Sequence, residues 1–347
     1  MTSVAGRSHY PGKKNTDSFF SELRGKLATS VTGSFPLSYT EENLHLALED
    51  QLKAGISYPS PPQLRDMNLM FLKPLAEQGC GIELRGDEAW LISNLTPPKA
   101  PVAVEDLDWT LRFLKEHDLE KTIDGVKVPI TGPVTLASVT QVVKGTYAIS
   151  YPDFILPFAD VVSEIVRWQC EHGAAMVSID EPSIPYALWL GISEDVIVEA
   201  IDRALSKAGN CITALHVCGE LHGTGRLFLR TRAQILHHEF KALPQNLEEY
   251  KKADLERNDK LVGLGCIQTK PSKEEGVPIE SIEEIKHFII EAGNRLGLEN
   301  LAILPDCGFA TLKDYYPSEK EAQDIVFQKL TNMVQAVKTI RKEKLTR

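Results

Sequence analysis

Short apolar segments recur along the chain, and amphipathic stretches separate each one from the next. The segments are rich in branched side chains and are bounded by polar or turn-forming residues, a pattern that predicts β-strands. Eight such segments lie at residues 27–36, 55–58, 126–131, 174–179, 211–217, 235–238, 261–267 and 301–304. The stretches at 41–55, 153–173, 193–208 and 281–296 have the apolar spacing of α-helices.

Eight strand–helix units in 347 residues predict an α/β fold of the (β/α)8 type, a TIM barrel, with its active site at the carboxyl ends of the strands. A doubly wound open sheet is the second interpretation, but no glycine-rich phosphate turn follows an early strand. We expect a single catalytic barrel over residues 23–347, preceded by an N-terminal extension at 1–22. A segment inserted at about 79–124 is expected to form a hairpin or a loop over the barrel mouth.

The composition argues against several classes of function. Although 43% of the residues are hydrophobic, no apolar run approaches the roughly 20 residues needed to cross a bilayer, so no membrane partner is expected. The net charge is -10, and the only basic tract is the short tail at 341–344, so no nucleic-acid partner is expected. The start of the chain has no secretory signal, and the six cysteines are scattered, which together predict a cytoplasmic protein with reduced thiols.

Four side chains at the ends of apolar segments have the chemistry of metal ligands. His216 and Cys218 are two residues apart, so both point to one face of an extended strand. Glu239 and Cys307 each end a later segment. One imidazole, two thiolates and one carboxylate suit a tetrahedral zinc ion, because thiolates favour zinc over magnesium or calcium. Beside Glu239, His237 is the alternative ligand or a partner of the ligands.

Other polar residues follow strands at the same predicted end of the barrel. Asp180 and Glu181 end the fourth segment, and they are either site residues or the cap of the next helix. Gly33 and Ser34 form either a plain turn or a grip for a carboxylate, made by backbone N–H groups and a hydroxyl. Gln63 follows the second segment at the correct end for substrate contact, and the nearby Arg65 and Asp66 either pair with each other or bind an anion. The remaining four cysteines are expected to be packing residues: Cys80, Cys170, Cys211 and Cys266.

Five motifs together resemble a known family, the catalytic C-terminal barrel of cobalamin-independent methionine synthase, within the zinc-dependent thiol methyltransferases. The similarity covers residues 31 to about 312. The motifs are Thr-Gly-Ser-Phe-Pro at 32–36, Ile-Thr-Gly-Pro-Val-Thr at 130–135, Ile-Asp-Glu-Pro at 179–182, His-Val-Cys at 216–218 and Pro-Asp-Cys-Gly at 305–308.

The resemblance implies a role for each of these positions. The family's zinc ligands correspond to the four residues already selected by their chemistry, and Ser34 and Asp180 correspond to contacts with the amino acid part of homocysteine. The family's zinc ion binds the substrate thiol, lowers its pKa and holds a thiolate that attacks a methyl group. The catalytic residues expected on this basis are Asp180, His216, Cys218 and Cys307, and the expected substrate contacts are Gly33, Ser34, Gln63, Asp180 and Glu181.

Two departures from the family concern the methyl donor. Full-length members have a second barrel that helps to hold a polyglutamyl folate, for which 347 residues leave no room. After the seventh strand the family has an Asp-x-His pair, whereas residues 267–271 of this chain read Ile-Gln-Thr-Lys-Pro. Methyltetrahydrofolate needs its leaving nitrogen protonated, whereas cobalt departs without a proton. We therefore predict methylcobalamin or a methylated corrinoid protein as the donor.

A third departure concerns the acceptor. The family has a Gly-Glu pair after the second strand, but residues 60–63 here read Ser-Pro-Pro-Gln. Homocysteine is the predicted acceptor, and another small thiol such as coenzyme M is the alternative. A zinc hydrolase with Asp180 or Glu181 as the general base is a second class of function, and a non-catalytic zinc or thiol-binding protein is a third. A decarboxylase on a related barrel would have no use for two cysteines at strand ends.

Overall fold

The computed structural model describes residues 23–271 and 276–345, with side chains up to residue 343. The extension predicted at 1–22 lies outside the described residues. The strands are β1 Ile82–Arg85, β2 Glu88–Leu91, β3 Lys127–Thr131, β4 Thr140–Val143, β5 Thr146–Tyr147, β6 Met176–Asp180, β7 Ile212–Val217, β8 Ile235–His238, β9 Leu261–Gly265 and β10 Leu301–Leu304. The α-helices are α1 Glu41–Ala54, α2 Leu69–Glu77, α3 Glu105–Glu116, α4 Pro133–Val139, α5 Pro152–Glu171, α6 Ile184–Trp189, α7 Glu194–Ala204, α8 Gly225–Leu229, α9 Lys252–Arg257, α10 Ile282–Leu296 and α11 Glu319–Leu345.

Six of the eight predicted strands form one parallel sheet in the order β10-β9-β8-β7-β6-β3. Their residues are almost all buried, as expected for strands covered on both faces. Because the strands are parallel, their carboxyl ends meet at one edge, which we refer to as the mouth. In register, Asp180 lies beside His216, and His216 lies beside His237.

The other two predicted strands join the edges of this sheet through isolated bridges instead of regular ladders. The Ser30 N–H donates to Ile303 O at 3.1 Å, and the Tyr58 N–H donates to Thr29 O at 2.9 Å. The Lys127 N–H then donates to Pro59 O at 2.9 Å. This closure confirms the barrel. The pairing is short because Pro59, Pro61 and Pro62 have no N–H to donate.

The helices begin and end where local signals place them. Thr40 accepts a hydrogen bond from the N–H of Asn43 at the start of α1, and Ser281 and Glu284 form a capping box at the start of α10. Gly55, with a φ of 88°, ends α1 in the left-handed region. Within residues 23–271 and 276–345, none of the helices is long and apolar enough to cross a membrane.

A second sheet of four strands forms outside the barrel sheet. The inserted segment contains the hairpin of β1 and β2, and β2 pairs in parallel with β4, which follows β3 and α4 in the chain. The pairing of Ala89 with Thr140 therefore joins the insertion to chain that has left the barrel at the carboxyl end of β3.

The expectation that Cys170 and Cys211 are simple packing residues is wrong in this structure. Their sulfurs are paired, with the two Cα atoms 6.1 Å apart. The pair joins the last turn of α5 to the residue before β7, at the end of the barrel opposite the mouth. The helix returns the chain to the start of the neighbouring strand, so the fold brings together two residues that are distant in sequence. Cys80 and Cys266 are free and buried, as predicted.

Candidate active site

Three of the predicted metal ligands meet at the mouth. His216 Nε2 lies 2.9 Å from Cys218 Sγ, which lies 3.0 Å from Cys307 Sγ. Within the described part of the chain, the donor atoms of these three residues form one group, all within 4.8 Å of one another. Cys307 is 89 residues away from Cys218 in the sequence, so only the closed barrel brings the two thiols together.

The imidazole of His216 is held in the form that a metal requires. Its ring stacks on that of His237 with centroids 4.2 Å apart, and burial lowers the pKa of both rings well below the ordinary value. His237 Nε2 lies 2.8 Å from Pro305 O and must donate to it, since a carbonyl only accepts. His237 is therefore a packing partner of His216 with a fixed ring orientation, and it does not belong to the group of three facing donors.

The two thiols are electrostatically unequal. A hydrogen bond from Cys218 lowers the pKa of Cys307, with the Lys270 ammonium acting in the same direction and burial opposing it. The pKa of Cys218 is raised well above its ordinary value because it donates this hydrogen bond and because it is buried. Cys307 is therefore the thiol that ionises more readily, and thiolates are the form that binds metals.

Glu239 lies beside the cluster but is engaged elsewhere. Its carboxylate is almost fully buried and accepts hydrogen bonds from the Gly219 N–H at 3.0 Å and from Lys270 Nζ at 2.5 Å. Asn246 Nδ2 bridges the carbonyls of Gly219 and Glu239, at 3.0 and 2.8 Å, and so holds the loops after β7 and β8 together. The structure thus brings Glu239 to the cluster's edge without including it among the three facing donors.

Lys270 and Asp306 contribute to the site but were not predicted from the sequence. Asp306 accepts from the N–H groups of Phe240, Lys241 and Ala242 at 2.8–2.9 Å, which ties the loop that carries Cys307 to the end of β8. Burial raises the pKa of Asp306 to about 7 against the effect of these three hydrogen bonds. The acid in Pro-Asp-Cys-Gly was the available signal for Asp306, and the end of the seventh apolar segment was the signal for Lys270.

Ser34, Gly33 and Gln63 reach the same mouth. The Phe309 N–H donates to Ser34 O at 3.0 Å, and the Gln63 N–H donates to Gly33 O at 2.9 Å. A Cβ on Gly308 would overlap Ser34 Oγ, so the serine hydroxyl lies directly against the residue that follows Cys307. These three predicted substrate contacts are therefore placed beside the thiol cluster.

A buried lysine supports this turn. Lys127 Nζ donates to Val31 O at 2.7 Å and to Thr32 O at 2.9 Å, which positions the two residues before Gly33. Burial lowers the pKa of Lys127 to about 8, and the charge of Asp180 opposes this shift. Sequence analysis missed this residue because a lysine at the start of a strand ordinarily reaches solvent.

The adjacent acids Asp180 and Glu181 have different environments. Asp180 accepts from Ser178 Oγ at 2.7 Å, and burial raises its pKa to about 6 against Lys127 and Ser178. Glu181 is completely buried, and its two oxygens accept from the N–H groups of Val134 and Thr135, at 2.8 Å each, and from the Thr135 hydroxyl. Asp180 therefore lies beside the cluster. The Glu181 carboxylate caps α4, which precedes it in the chain, and not the next helix, for which a capping role was considered. Arg65 pairs with Glu105 and Asp106, not with Asp66.

Thiols and an imidazole that converge at the carboxyl ends of parallel strands define the class as a (β/α)8-barrel enzyme with thiol and imidazole donors at its mouth. Comparison with known proteins gives the particular family. Residues 74–339 match the family model described as cobalamin-independent synthase, catalytic domain, and the chain belongs to this family.

Two relatives of this chain are named methionine synthase, which agrees with this family. A methionine synthase of Methanothermobacter thermautotrophicus is 30% identical over 295 residues, which cover 84% of this chain and 87% of the relative. A methionine synthase of Methanothermobacter marburgensis is 29% identical over 335 residues, covering 89% and 99%. The chain is therefore a methyltransferase of the methionine synthase family, as its motifs predicted.

Solved structures support the fold. A B12-independent methionine synthase from Shewanella, solved in complex with selenomethionine, aligns with a TM-score of 0.66 at 18% identity, covering 92% of this chain and 99% of that one. A methyltransferase from Methanosarcina mazei aligns with a TM-score of 0.59 at 14% identity, covering 92% and 98%. At these identities the similarity shows a shared architecture.

Proposed function

We propose that the protein transfers a methyl group to the thiol of homocysteine to make methionine, with one zinc ion held by His216, Cys218, Cys307 and Glu239. The observation that carries this proposal is the cluster of one imidazole nitrogen and two sulfurs that face one another at the mouth. The imidazole nitrogen lies 2.9 Å from one sulfur, and the two sulfurs lie 3.0 Å apart, which is the arrangement expected of a ligand set.

The residues present fit a zinc ion by their chemistry. The neutral His216 ring offers a lone pair, and two sulfur donors select zinc over the hard cations. Glu239 would be the fourth ligand, because its carboxylate lies at the edge of the cluster. Bound zinc supplies a Lewis acid that favours the thiolate form of the acceptor. The thiols of Cys218 and Cys307 must stay reduced to bind a metal, and on that ground we propose a cytoplasmic location.

The residues around the cluster are suited to an amino acid acceptor. Asp180 offers a carboxylate for the ammonium group, and the Ser34 hydroxyl and nearby backbone offer donors for the carboxylate. Gln63 adds a neutral amide where the family has an acid. Its Nε2 now lies 3.2 Å from Met70 Sδ, a weak acceptor that a substrate oxygen can replace. Coenzyme M, with a sulfonate in place of the amino acid group, is the alternative acceptor.

The donor side of the site supports a corrinoid over a folate. After β9 the chain presents Gln268 and Thr269, neither of which is an acid. The Gln268 N–H donates to buried Glu280 at 2.7 Å, and the Thr269 hydroxyl is buried without a partner among the described residues. Since methyltetrahydrofolate needs a proton on its leaving nitrogen, we propose methylcobalamin or a methylated corrinoid protein as the donor.

One set of assays tests the metal and the donor. We expect about one zinc ion per chain by elemental analysis, and methionine formation from homocysteine with methylcobalamin but not with methyltetrahydrofolate. Cys307→Ser should lose the metal and the activity, whereas Cys80→Ala, which removes a buried thiol that does not belong to the cluster, should keep both. Chelation should abolish the activity, and added zinc should restore it.

Three outcomes would contradict parts of this proposal. Turnover with the folate alone would refute the corrinoid donor. Activity restricted to coenzyme M would refute homocysteine as the acceptor. A chain that binds no zinc, yet transfers the methyl group, would refute the metal site.

A further inference from the structure

Lys270 occupies an unusual position at the edge of the thiol cluster. It extends from the loop after β9 to the end of β8, where Nζ lies 2.5 Å from Glu239 Oε1. The glutamate side chain is 4% exposed and the lysine side chain is 49% exposed. A largely buried carboxylate is thus neutralised by a cation that remains in contact with solvent and can move away.

The loop that carries Lys270 is anchored behind the lysine. The Gln268 N–H donates to Glu280, which pairs with the buried ammonium of Lys329. The Thr269 side chain is buried, so the backbone on the N-terminal side of Lys270 is held while the lysine side chain extends over the mouth. Lys127, a buried cation near the site, is instead committed to two backbone carbonyls.

The charges of the proposed ligand set give this lysine a role. Two thiolates and one carboxylate carry more negative charge than a divalent ion neutralises, and an acceptor thiolate adds one more. A nearby cation stabilises each negative charge and repels each positive charge, because the Coulomb energy depends on the signs of both charges. It opposes the binding of a metal cation and favours the binding of an anionic thiolate. In addition, the Glu239 carboxylate is less available as a metal ligand while it is paired with Lys270.

We propose that Lys270 changes two affinities of the metal centre in opposite directions. It lowers the affinity of the site for zinc by competing for Glu239, and it raises the affinity of the zinc-loaded site for the acceptor thiolate. This inference rests on the proposed function. The effect on the metal and the effect on the thiol have opposite signs, whereas a loss of local structure would weaken both.

The test compares Lys270→Met with a matched control. Lys252→Met removes a lysine that is also 49% exposed and also paired with a glutamate, Glu299, but lies on α9. Zinc affinity is measured by competition with a chromophoric chelator, and homocysteine affinity of the zinc-loaded protein is measured by calorimetry. We expect Lys270→Met to bind zinc about tenfold more tightly and homocysteine about tenfold more weakly. Lys252→Met should match the wild type.

Two further variants distinguish the effect of the charge of Lys270 from the effect of its competition with zinc for Glu239. Lys270→Arg keeps the charge and should keep the homocysteine affinity within about threefold of the wild type. In a Glu239→Gln background, Lys270→Met should change zinc affinity less than it does in the wild type, because no carboxylate remains to compete for. An unreduced effect in that background would overturn the competition.

The outcomes distinguish this inference from the function on which it rests. A wild-type protein that binds neither zinc nor homocysteine refutes the proposed function before any variant is compared. A wild-type protein that binds both, with Lys270→Met indistinguishable from Lys252→Met or weakened in both affinities, refutes the role of Lys270 alone.

Discussion

Ser34 and Gly308 show how closely two distant parts of the chain approach at the mouth. Ser34 lies in the turn at the end of the first apolar segment, and Gly308 follows the last strand and Cys307. The hydroxyl of one fills the space that a side chain on the other would need. A glycine is required at 308 because of this close approach, not because of its backbone conformation.

Gly308→Ala should therefore displace the Ser34 hydroxyl. We expect it to raise the KM for homocysteine several-fold and to lower the free energy of unfolding by about 1–3 kcal/mol, as for overpacking elsewhere. The check is a double-mutant cycle with Ser34→Ala, in which the added methyl group should cost clearly less once the hydroxyl is gone. Strictly additive effects would show that the two residues do not meet.

At the scale of elements, Glu181 links two neighbouring units of the barrel. It follows β6, but its carboxylate accepts the free N–H groups at the start of α4, the helix that follows β3. A Cβ on Gly132 would collide with this carboxylate, so the turn before α4 is shaped around it. The position of the second sheet depends on the same helix, because β4 follows α4 directly.

Glu181→Gln should destabilise the fold by about 2–3 kcal/mol, since the amide nitrogen would face an N–H donor and leave it unsatisfied. Chemical denaturation measures the loss, with the exposed Glu248→Gln as the control. A substrate-contact role predicts a different pattern, in which the stability is unchanged and the KM for homocysteine rises.

At the scale of the whole molecule, the barrel is closed by its least regular strand pairing. Residues 28–30 and 57–59 make isolated bridges, where the other six strands make ladders. Lys127 reinforces this region from inside, because it starts β3 and bonds the carbonyls of Val31 and Thr32 across the closure. The two hydrogen bonds from this buried ammonium thus stabilise both the closure of the barrel and the turn that carries Gly33 and Ser34.

The buried ammonium predicts a pH dependence of stability. Its pKa is about 8 in the folded protein against an ordinary value of 10.5, so between these values the unfolded chain binds more protons. The free energy of unfolding of the wild type should therefore rise with pH in this range, relative to Lys127→Met, with a slope of at most about 1.4 kcal/mol per pH unit. Urea denaturation at pH 7.5 and pH 10 measures the difference. Parallel profiles for the two proteins would contradict the assignment.

Much of the fold was predictable from local patterns. Apolar segments of strand length predicted all six strands of the barrel sheet. Amphipathic spacing predicted the helices near 41–55, 153–173, 193–208 and 281–296, because both signals act over a few residues. The closure was predicted as two strands but is made of bridges, since the register of Ser30 and Tyr58 depends on prolines and on neighbours distant in sequence. The Cys170–Cys211 pair was missed for the same reason.

The sequence by itself determined the chemical character of the site: His216 and Cys218 two residues apart, Cys307 before a glycine, and the motifs of the methionine synthase family. Only the tertiary structure decided how each polar group is used. It turned Glu181 into a helix cap, placed Lys270 on Glu239, and placed Asp306 and Lys127 as supports behind the mouth. The physical reason is that residue type sets which bonds a side chain can make, whereas burial and long-range neighbours decide which of those bonds form.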